Sequence, residues 1–168
     1  MNEYTLRLHH RTPEWVNGGA MFHVRIRAAA TQSTPLTELR LAGLLIDAAR
    51  QYHASGCWWC ELLLLMPDHL HALLVFPRET SMSTVVRNWK RCMARLHGVA
   101  WQSNFFDHRI RHEKERDETW RYIRRNPVAK GLCASEEDWP FLWSALSSTR
   151  NRQRRDEAPW GQGAPPWE

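Results

Sequence analysis

Hydrophobic residues follow two periods along the chain, and the first is the two-residue period of β-strands. In residues 20–28, apolar side chains alternate with His and Arg, which predicts a strand with one buried face. The runs 57–66 and 69–76 are almost continuously apolar, as is typical of buried strands, and the Pro67-Asp68 segment between them predicts a tight hairpin. Residues 105–112 alternate again and predict a fourth strand.

The second period is that of amphipathic helices. Apolar residues at spacings of three and four predict three helices, over about 34–53, 81–98 and 113–126. Thr34-Pro35 should open the first helix, Ser81 should cap the second, and Asn126-Pro127 should stop the third. A short ordered piece is expected at 139–147.

The order of these elements predicts an α+β protein. Strand, helix, strand, strand, helix, strand is the ferredoxin-like βαββαβ plan with an antiparallel sheet, and here a further helix follows the last strand. The aliphatic strand 69–76 should be central in that sheet. We expect residues 1–148 to form one domain. Residues 149–168 are basic and then rich in Pro and Gly, which predicts a mobile tail that is either a passive end or an arm on the DNA backbone.

Two histidines stand on the predicted central strand. His69 and His71 are separated by one residue, so their side chains project from the same face. Two imidazoles at this spacing can hold one divalent metal ion. A single buried histidine is commonly satisfied by a carbonyl, but two adjacent ones crowd two titratable rings, and a metal would resolve that crowding.

The third helix carries a second candidate pair. Tyr122 and Asn126 lie four residues apart, so they share a helix face. A tyrosine can serve as a covalent nucleophile, and an amide oxygen suits magnesium or manganese. Each residue also has an ordinary structural interpretation, Tyr122 as an amphipathic boundary residue and Asn126 as the C-cap before Pro127.

The charge of the chain favours an acidic partner. It has 23 Lys and Arg against 18 Asp and Glu, a net charge of +5, and ten tryptophans that include candidates for base stacking. Clustered basic side chains interleaved with aromatic ones are typical of nucleic-acid surfaces, although each cluster could equally be a solvated helix face. The basic residues expected to contact DNA are Arg87, Lys90, Arg91, Arg109, Arg111, Arg121, Arg124 and Arg125.

The sequence also bears on the compartment. No stretch approaches the roughly 20 apolar residues of a membrane span, and the N-terminus lacks the apolar region of a signal peptide. We therefore expect a cytoplasmic protein without a membrane partner, associated with the nucleoid through DNA. Its cysteines should be reduced. The spacing of Cys57 and Cys60 suits a zinc knuckle, but no second pair follows, and we favour a place in the core.

The motifs together resemble a known family. The segment Met66-Pro67-Asp68-His69-Leu70-His71 resembles the histidine–hydrophobe–histidine (HUH) motif of single-tyrosine transposases. The segment from Tyr122 to Leu132, with Asn126-Pro127-Val128, resembles the tyrosine helix of the REP-associated tyrosine transposases within the IS200-like group. Residues 105–111, just before that helix, fit the same pattern. The resemblance covers roughly residues 13–145 and rests on two motifs in the right order.

This resemblance implies a ferredoxin-like HUH nuclease that acts on single-stranded DNA carrying palindromic hairpins. It implies that His69, His71 and Asn126 hold one divalent metal, Mg²⁺ or Mn²⁺. Tyr122 would attack a phosphodiester, form a 5′-phosphotyrosine link and release a 3′-hydroxyl. The family includes monomers and domain-swapped homodimers, and the sequence is compatible with either.

Two other functions fit parts of the pattern. A non-catalytic nucleic-acid-binding module on the same fold, like the RRM proteins, would not require the histidines and Tyr122 to converge. A metal-dependent phosphodiesterase that activates water would use the histidines and leave Tyr122 idle.

Overall fold

The structure of the protein is a computed structural model that describes residues 19–146. The predicted domain boundary at 148 and the predicted tail at 149–168 lie outside the described residues. The strands are β1 Met21–Arg27, β2 Trp59–Leu65, β3 His69–Val75, β4 Phe106–Ile110 and β5 Leu142–Trp143. The helices are α1 Leu39–Ala54, α2 Met82–His97 and α3 Glu113–Ala129, followed by a short 3-10 helix, Glu136–Asp138.

The strands form one antiparallel sheet in the order β4-β1-β3-β2-β5. The first four strands have the ferredoxin-like arrangement, and β3 is central, so both predictions are confirmed. The two residues of β5 extend the sheet beside β2, within the segment 139–147 that was expected to be ordered.

The alternation along β3 separates two cores on the two faces of the sheet. Leu70, Ala72 and Leu74 belong to a core shared with α1 and α2. Leu73 and Val75 belong to a second core that includes Ile123 of α3. His69 and His71 alternate along β3 with Leu70 and Ala72, which face α1 and α2. The two histidines therefore lie on the opposite face of the sheet, the one that α3 covers.

The hairpin between β2 and β3 is fixed by backbone hydrogen bonds. The Met66 amide donates to the His69 carbonyl at 2.8 Å across the turn. From outside the hairpin, the Leu36 amide donates to the Pro67 carbonyl and the Ala28 amide donates to the Asp68 carbonyl. These bonds fix the register of β3, and with it the face on which its side chains project.

Two helix boundaries differ from the predictions. The first helix begins at Leu39, because the side chain of Glu38 accepts hydrogen bonds from the Arg40 and Leu41 amides and so caps the helix there. The third helix was expected to stop at Asn126, but it continues through Pro127 to Ala129. The Leu132 amide donates to the Pro127 carbonyl in the closing turn, and Gly131 has the positive φ of 70° that ends the helix.

A buried ion pair attaches α3 to the sheet. Glu61 lies where the pairing of β2 with β3 shifts register between Cys60 and Leu62, and its side chain is fully buried. The guanidinium of Arg116, on the second turn of α3, pairs with the Glu61 carboxylate. Since Arg116 is itself 6% exposed, this pair sets where α3 rests on the sheet.

Candidate active site

The two β3 histidines meet on the α3 face of the sheet. His69 is 8% exposed and His71 is 1% exposed, and their Nε2 atoms lie 3.1 Å apart. The residue between them, Leu70, points into the opposite core. The predicted side-by-side placement of the two imidazoles is therefore present in the structure, while the role assigned to them stays a prediction.

Four side chains form a continuous row of polar contacts through this pair. The Oδ1 atom of Asp68 lies 2.6 Å from Nδ1 of His69, and Nδ1 of His71 lies 2.9 Å from Nε2 of His23 on β1. The rings of His23 and His71 are stacked, with centroids 5.2 Å apart. The row runs Asp68, His69, His71, His23, and it links the hairpin turn to the neighbouring strand.

Burial keeps two of these histidines neutral. Desolvation, with smaller contributions from the neighbouring His23, His69, Arg25 and Arg27, lowers the pKa of His71 to about 2. Burial likewise lowers the pKa of His23 to about 4, assisted by Arg25 and His108. A neutral imidazole keeps a lone pair on one ring nitrogen, which is the form that binds a metal.

The carboxylate at the turn stays ionised. Burial alone would raise the pKa of Asp68, but the hydrogen bond from His69 and the positive charge of Arg27 bring that pKa below its ordinary value. An ionised Asp68 accepts a hydrogen bond from Nδ1 of His69 and leaves the His69 lone pair on Nε2. Carboxylate–histidine pairs of this kind commonly orient histidine ligands in metal sites.

Helix α3 brings its candidate pair to the same place. Tyr122 is 53% exposed, and its ring meets the His71 ring edge-on with centroids 5.8 Å apart. Asn126 is 8% exposed, and its amide nitrogen donates to the Tyr122 carbonyl at 3.5 Å, which leaves the amide oxygen as its remaining polar atom. Because the helix runs on to Ala129, Asn126 is not the C-cap, and its interpretation as a cap before Pro127 is wrong.

These residues line one cleft of about 330 Å³. His69, His71, Tyr122 and Asn126, which the sequence singled out, all contribute to its walls. The convergence requires both the β3 register and the docking of α3, since the four residues come from two elements far apart in sequence.

Three basic residues of this cleft were not among the predicted site residues. Arg25 and Arg27 of β1 are paired directly with His71 and His69 of β3, and Lys130 follows α3. The Arg25 guanidinium also lies 5.2 Å above the Phe106 ring. The alternation along residues 20–28 indicates that the arginines and His23 share one face, but only the pairing of β1 with β3 shows what that face adjoins.

Most of the predicted DNA-binding arginines are exposed, but they are not gathered at the cleft. Arg87 and Arg91 are on α2, which packs on the opposite face of the sheet. Arg124 is partly buried and pairs with Glu136 and Glu137 at 3.5 and 3.6 Å. The remaining predicted arginines are solvent-exposed on β4, after it or on α3: Arg109, Arg111, Arg121 and Arg125.

Lys90 has a structural role instead of the predicted one. It is 8% exposed, and its ammonium donates to the carbonyls of Gln102, Ser103 and Asn104 at 2.6, 3.1 and 3.4 Å. Burial lowers its pKa. A lysine whose donors are used by three backbone carbonyls is not available to a phosphate, so we no longer place Lys90 on the DNA surface.

Two other expectations concern the core and the membrane. Cys60 is fully buried and Cys57 partly buried, and neither forms a disulfide, in agreement with a place in the core. Within residues 19–146, no helix is long and apolar enough to cross a bilayer.

The donor atoms in the cleft fit a divalent metal. Two nitrogens that share an ion at about 2.1 Å and about 90° lie about 3.0 Å apart, close to the separation of the two Nε2 atoms. Across the part of the chain that the structure describes, no three His, Cys, Asp or Glu side chains form a metal-binding group. A third protein ligand would therefore be of another type, and Asn126 lines the same cleft.

Comparison with known proteins supplies one sequence relative and one solved structure of the same fold. No protein-family model matches the sequence. A Haemophilus influenzae protein named "Putative REP-associated tyrosine transposase" is 29% identical over 128 residues, which cover 61% of this chain and 72% of that protein. A solved structure of a REP-associated tyrosine transposase bound to a REP hairpin has the same fold, with a TM-score of 0.62, 20% identity and coverage of 94% and 93% of the two chains.

Proposed function

We propose that this chain, a relative of the REP-associated tyrosine transposases, is an HUH-type strand transferase that cleaves and rejoins single-stranded DNA beside palindromic hairpins. The observation that carries the proposal is the convergence of His69, His71, Tyr122 and Asn126 on one cleft. A binding module would not need a tyrosine and an asparagine to converge on two adjacent histidines.

In the proposed reaction, Tyr122 is the nucleophile. Its phenolic oxygen attacks a phosphodiester phosphorus, and the bond from phosphorus to the 3′-oxygen breaks. The phenolic proton passes to solvent, and the 3′-oxygen leaves as a hydroxyl. The product is a 5′-phosphotyrosine, which keeps the energy of the broken bond and lets a second 3′-hydroxyl reverse the reaction without ATP.

The rest of the cleft supplies charge and alignment. His69, His71 and Asn126 would hold one Mg²⁺ or Mn²⁺, which when bound neutralises charge on the scissile phosphate. Arg25 and Arg27 lie in the same cleft, and their positive charges would bind phosphates that flank the scissile one. Helix α3 would align the Tyr122 hydroxyl with the scissile phosphate, because the Glu61–Arg116 pair attaches this helix to the sheet.

The test separates covalent from hydrolytic cleavage. A hairpin-bearing DNA strand labelled at its 3′ end is incubated with protein and Mn²⁺, and the products are run on a denaturing gel. Attack by tyrosine transfers the label to the protein, because the 5′-phosphate of the downstream fragment forms the link. Cleavage by water yields only free labelled fragments, and a complex seen only on a native gel indicates a binding module.

The matched variants use all three tyrosines of the chain. Tyr122→Phe should abolish the labelled adduct and leave stability nearly unchanged, because the side chain is half exposed. Tyr52→Phe is the matched control, since Tyr52 packs against Trp58 on the other side of the sheet. Tyr4→Phe should also keep the adduct. Persistence of the adduct in Tyr122→Phe would exclude Tyr122 as the nucleophile.

A further inference from the structure

His23 is a polar side chain at the site to which neither the sequence motifs nor the proposed reaction gives a role. It lies on β1, 48 residues before His71, and its Nε2 atom is 2.9 Å from the Nδ1 atom of His71. The two rings are stacked. Since His71 is almost completely buried, its ring nitrogens depend on protein neighbours such as His23 for their hydrogen bonds.

The neighbouring contacts limit the positions of the protons. Asp68 accepts a hydrogen bond from the protonated Nδ1 atom of His69, so the Nε2 atom of His69 carries a lone pair. That lone pair faces the Nε2 atom of His71 at 3.1 Å. Two nitrogen lone pairs at this distance repel each other unless a proton or a cation lies between them.

Two arrangements satisfy the row of contacts. In the first, His23 donates from Nε2 to His71, and the proton of His71 lies on Nε2 and fills the gap to His69. In the second, His71 donates from Nδ1 to His23, and both Nε2 lone pairs are turned to the gap. Each ring keeps one proton in both arrangements. Changing from one arrangement to the other therefore changes the tautomers of His23 and His71 but not the number of bound protons.

We propose that His23 is a positioning residue that accepts a hydrogen bond from Nδ1 of His71 and so holds His71 in the tautomer that presents Nε2 to a divalent cation. This inference rests on the metal site of the proposed function. Only the second arrangement can bind a cation between the histidines. An imidazole at position 23 serves as donor in one arrangement and acceptor in the other, which an apolar side chain cannot do.

Metal affinity measured without DNA tests the inference. The full 168-residue chain is titrated with Mn²⁺, and binding is followed by the loss of the electron paramagnetic resonance signal of free Mn²⁺. His23→Phe keeps a ring of similar size and removes both nitrogens, and it should weaken Mn²⁺ binding by about 10- to 100-fold. His23→Gln places a side-chain amide about where Nε2 of His23 lies, and this amide can donate a hydrogen bond to His71 or accept one from it. The Gln variant should therefore bind Mn²⁺ nearly as tightly as the wild type.

The matched control is His97→Phe, since His97 ends α2 on the opposite face of the sheet, and this variant should keep wild-type affinity. Nitrogen-15 NMR on the wild type with Zn²⁺ reads the tautomer directly and should find the His71 proton on Nδ1. This measurement decides the matter even if His23→Phe does not fold.

Three results would overturn the inference: wild-type Mn²⁺ affinity in folded His23→Phe, equal weakening in the Gln and Phe variants, or a His71 proton on Nε2 with metal bound. If the wild type binds no metal, the metal part of the proposed function fails together with this inference. If the wild type binds metal and the variants bind it equally well, the inference alone fails.

Discussion

The buried histidines should make the metal-free protein unusually sensitive to mild acid. When His23 and His71 are folded, their pKa values are about 4 and about 2, against 6.5 in the unfolded chain. The unfolded chain therefore takes up protons below pH 6.5 that the folded protein does not. Stability rises with pH wherever the unfolded state binds more protons, so acid should unfold this protein.

The size of the effect follows from those values. Between pH 7 and pH 5 an unfolded histidine passes from mostly neutral to almost fully protonated, while both folded rings stay largely neutral. This difference lowers the free energy of unfolding by about 2 kcal/mol for each histidine and about 4 kcal/mol for the pair. Burial also raises the pKa of the Glu61 carboxyl, so the contribution of the two histidines is isolated by comparison with a variant that keeps Glu61.

Urea unfolding in the presence of a chelator measures this directly. The free energy of unfolding of the wild type is compared at pH 7 and pH 5 with that of a variant carrying His23→Gln and His71→Gln. Burial also lowers the pKa of His53, but His53 is present in both proteins and cancels in the comparison. An equal loss of stability in the two proteins would refute the reasoning, because it would mean that the two rings are not held neutral.

Three further predictions concern single side chains. Asn126→Ala should raise the Mn²⁺ concentration needed for cleavage, because one of three proposed ligands is lost. Adduct formation measured across a Mn²⁺ titration tests this, and an unchanged midpoint would argue against Asn126 as a ligand. Lys90→Met should reduce the free energy of unfolding by about 1–3 kcal/mol in urea, since three backbone carbonyls lose their charged donor, and it should leave hairpin affinity nearly unchanged. Glu61→Leu should reduce that free energy by up to about 3–5 kcal/mol, because Arg116 would stay buried and keep Asp117 but lose the Glu61 carboxylate. The double variant with Arg116→Leu should recover most of the loss.

The elements of the fold could be read from the sequence because its hydrophobic periods are strong. Continuous apolar runs predict β2 and β3 within two residues of their ends, and the order of elements predicts the sheet. The end of α3 could not be predicted, because Pro127 normally stops a helix, and the hydrogen bonds that close this last turn come from residues after it. The helix start at Leu39 depends on the Glu38 side chain as a cap, a residue less common in that position than Ser or Asp.

The site was less accessible to sequence reasoning where it depends on contacts between distant segments. His69 and His71 stand out because two histidines interrupt an aliphatic strand. Lys90 lies at the same helical spacing as exposed arginines, and nothing local indicates that carbonyls of a later loop enclose it. His23 could be placed on the correct face by alternation, but its contact with His71 depends on a strand pairing that spans 48 residues.

The distribution of the cleft along the chain bears on incomplete copies of the protein. The histidines of β1 and β3 are made first, and Tyr122 comes from α3, the last long helix of the described chain. A polypeptide that ends before α3 would keep the histidines and lack the nucleophile, and its second core would be uncovered. Under the proposed function, a nascent or prematurely terminated chain would therefore be unable to break a DNA strand, and only the finished polypeptide would be a hazard to the genome that encodes it.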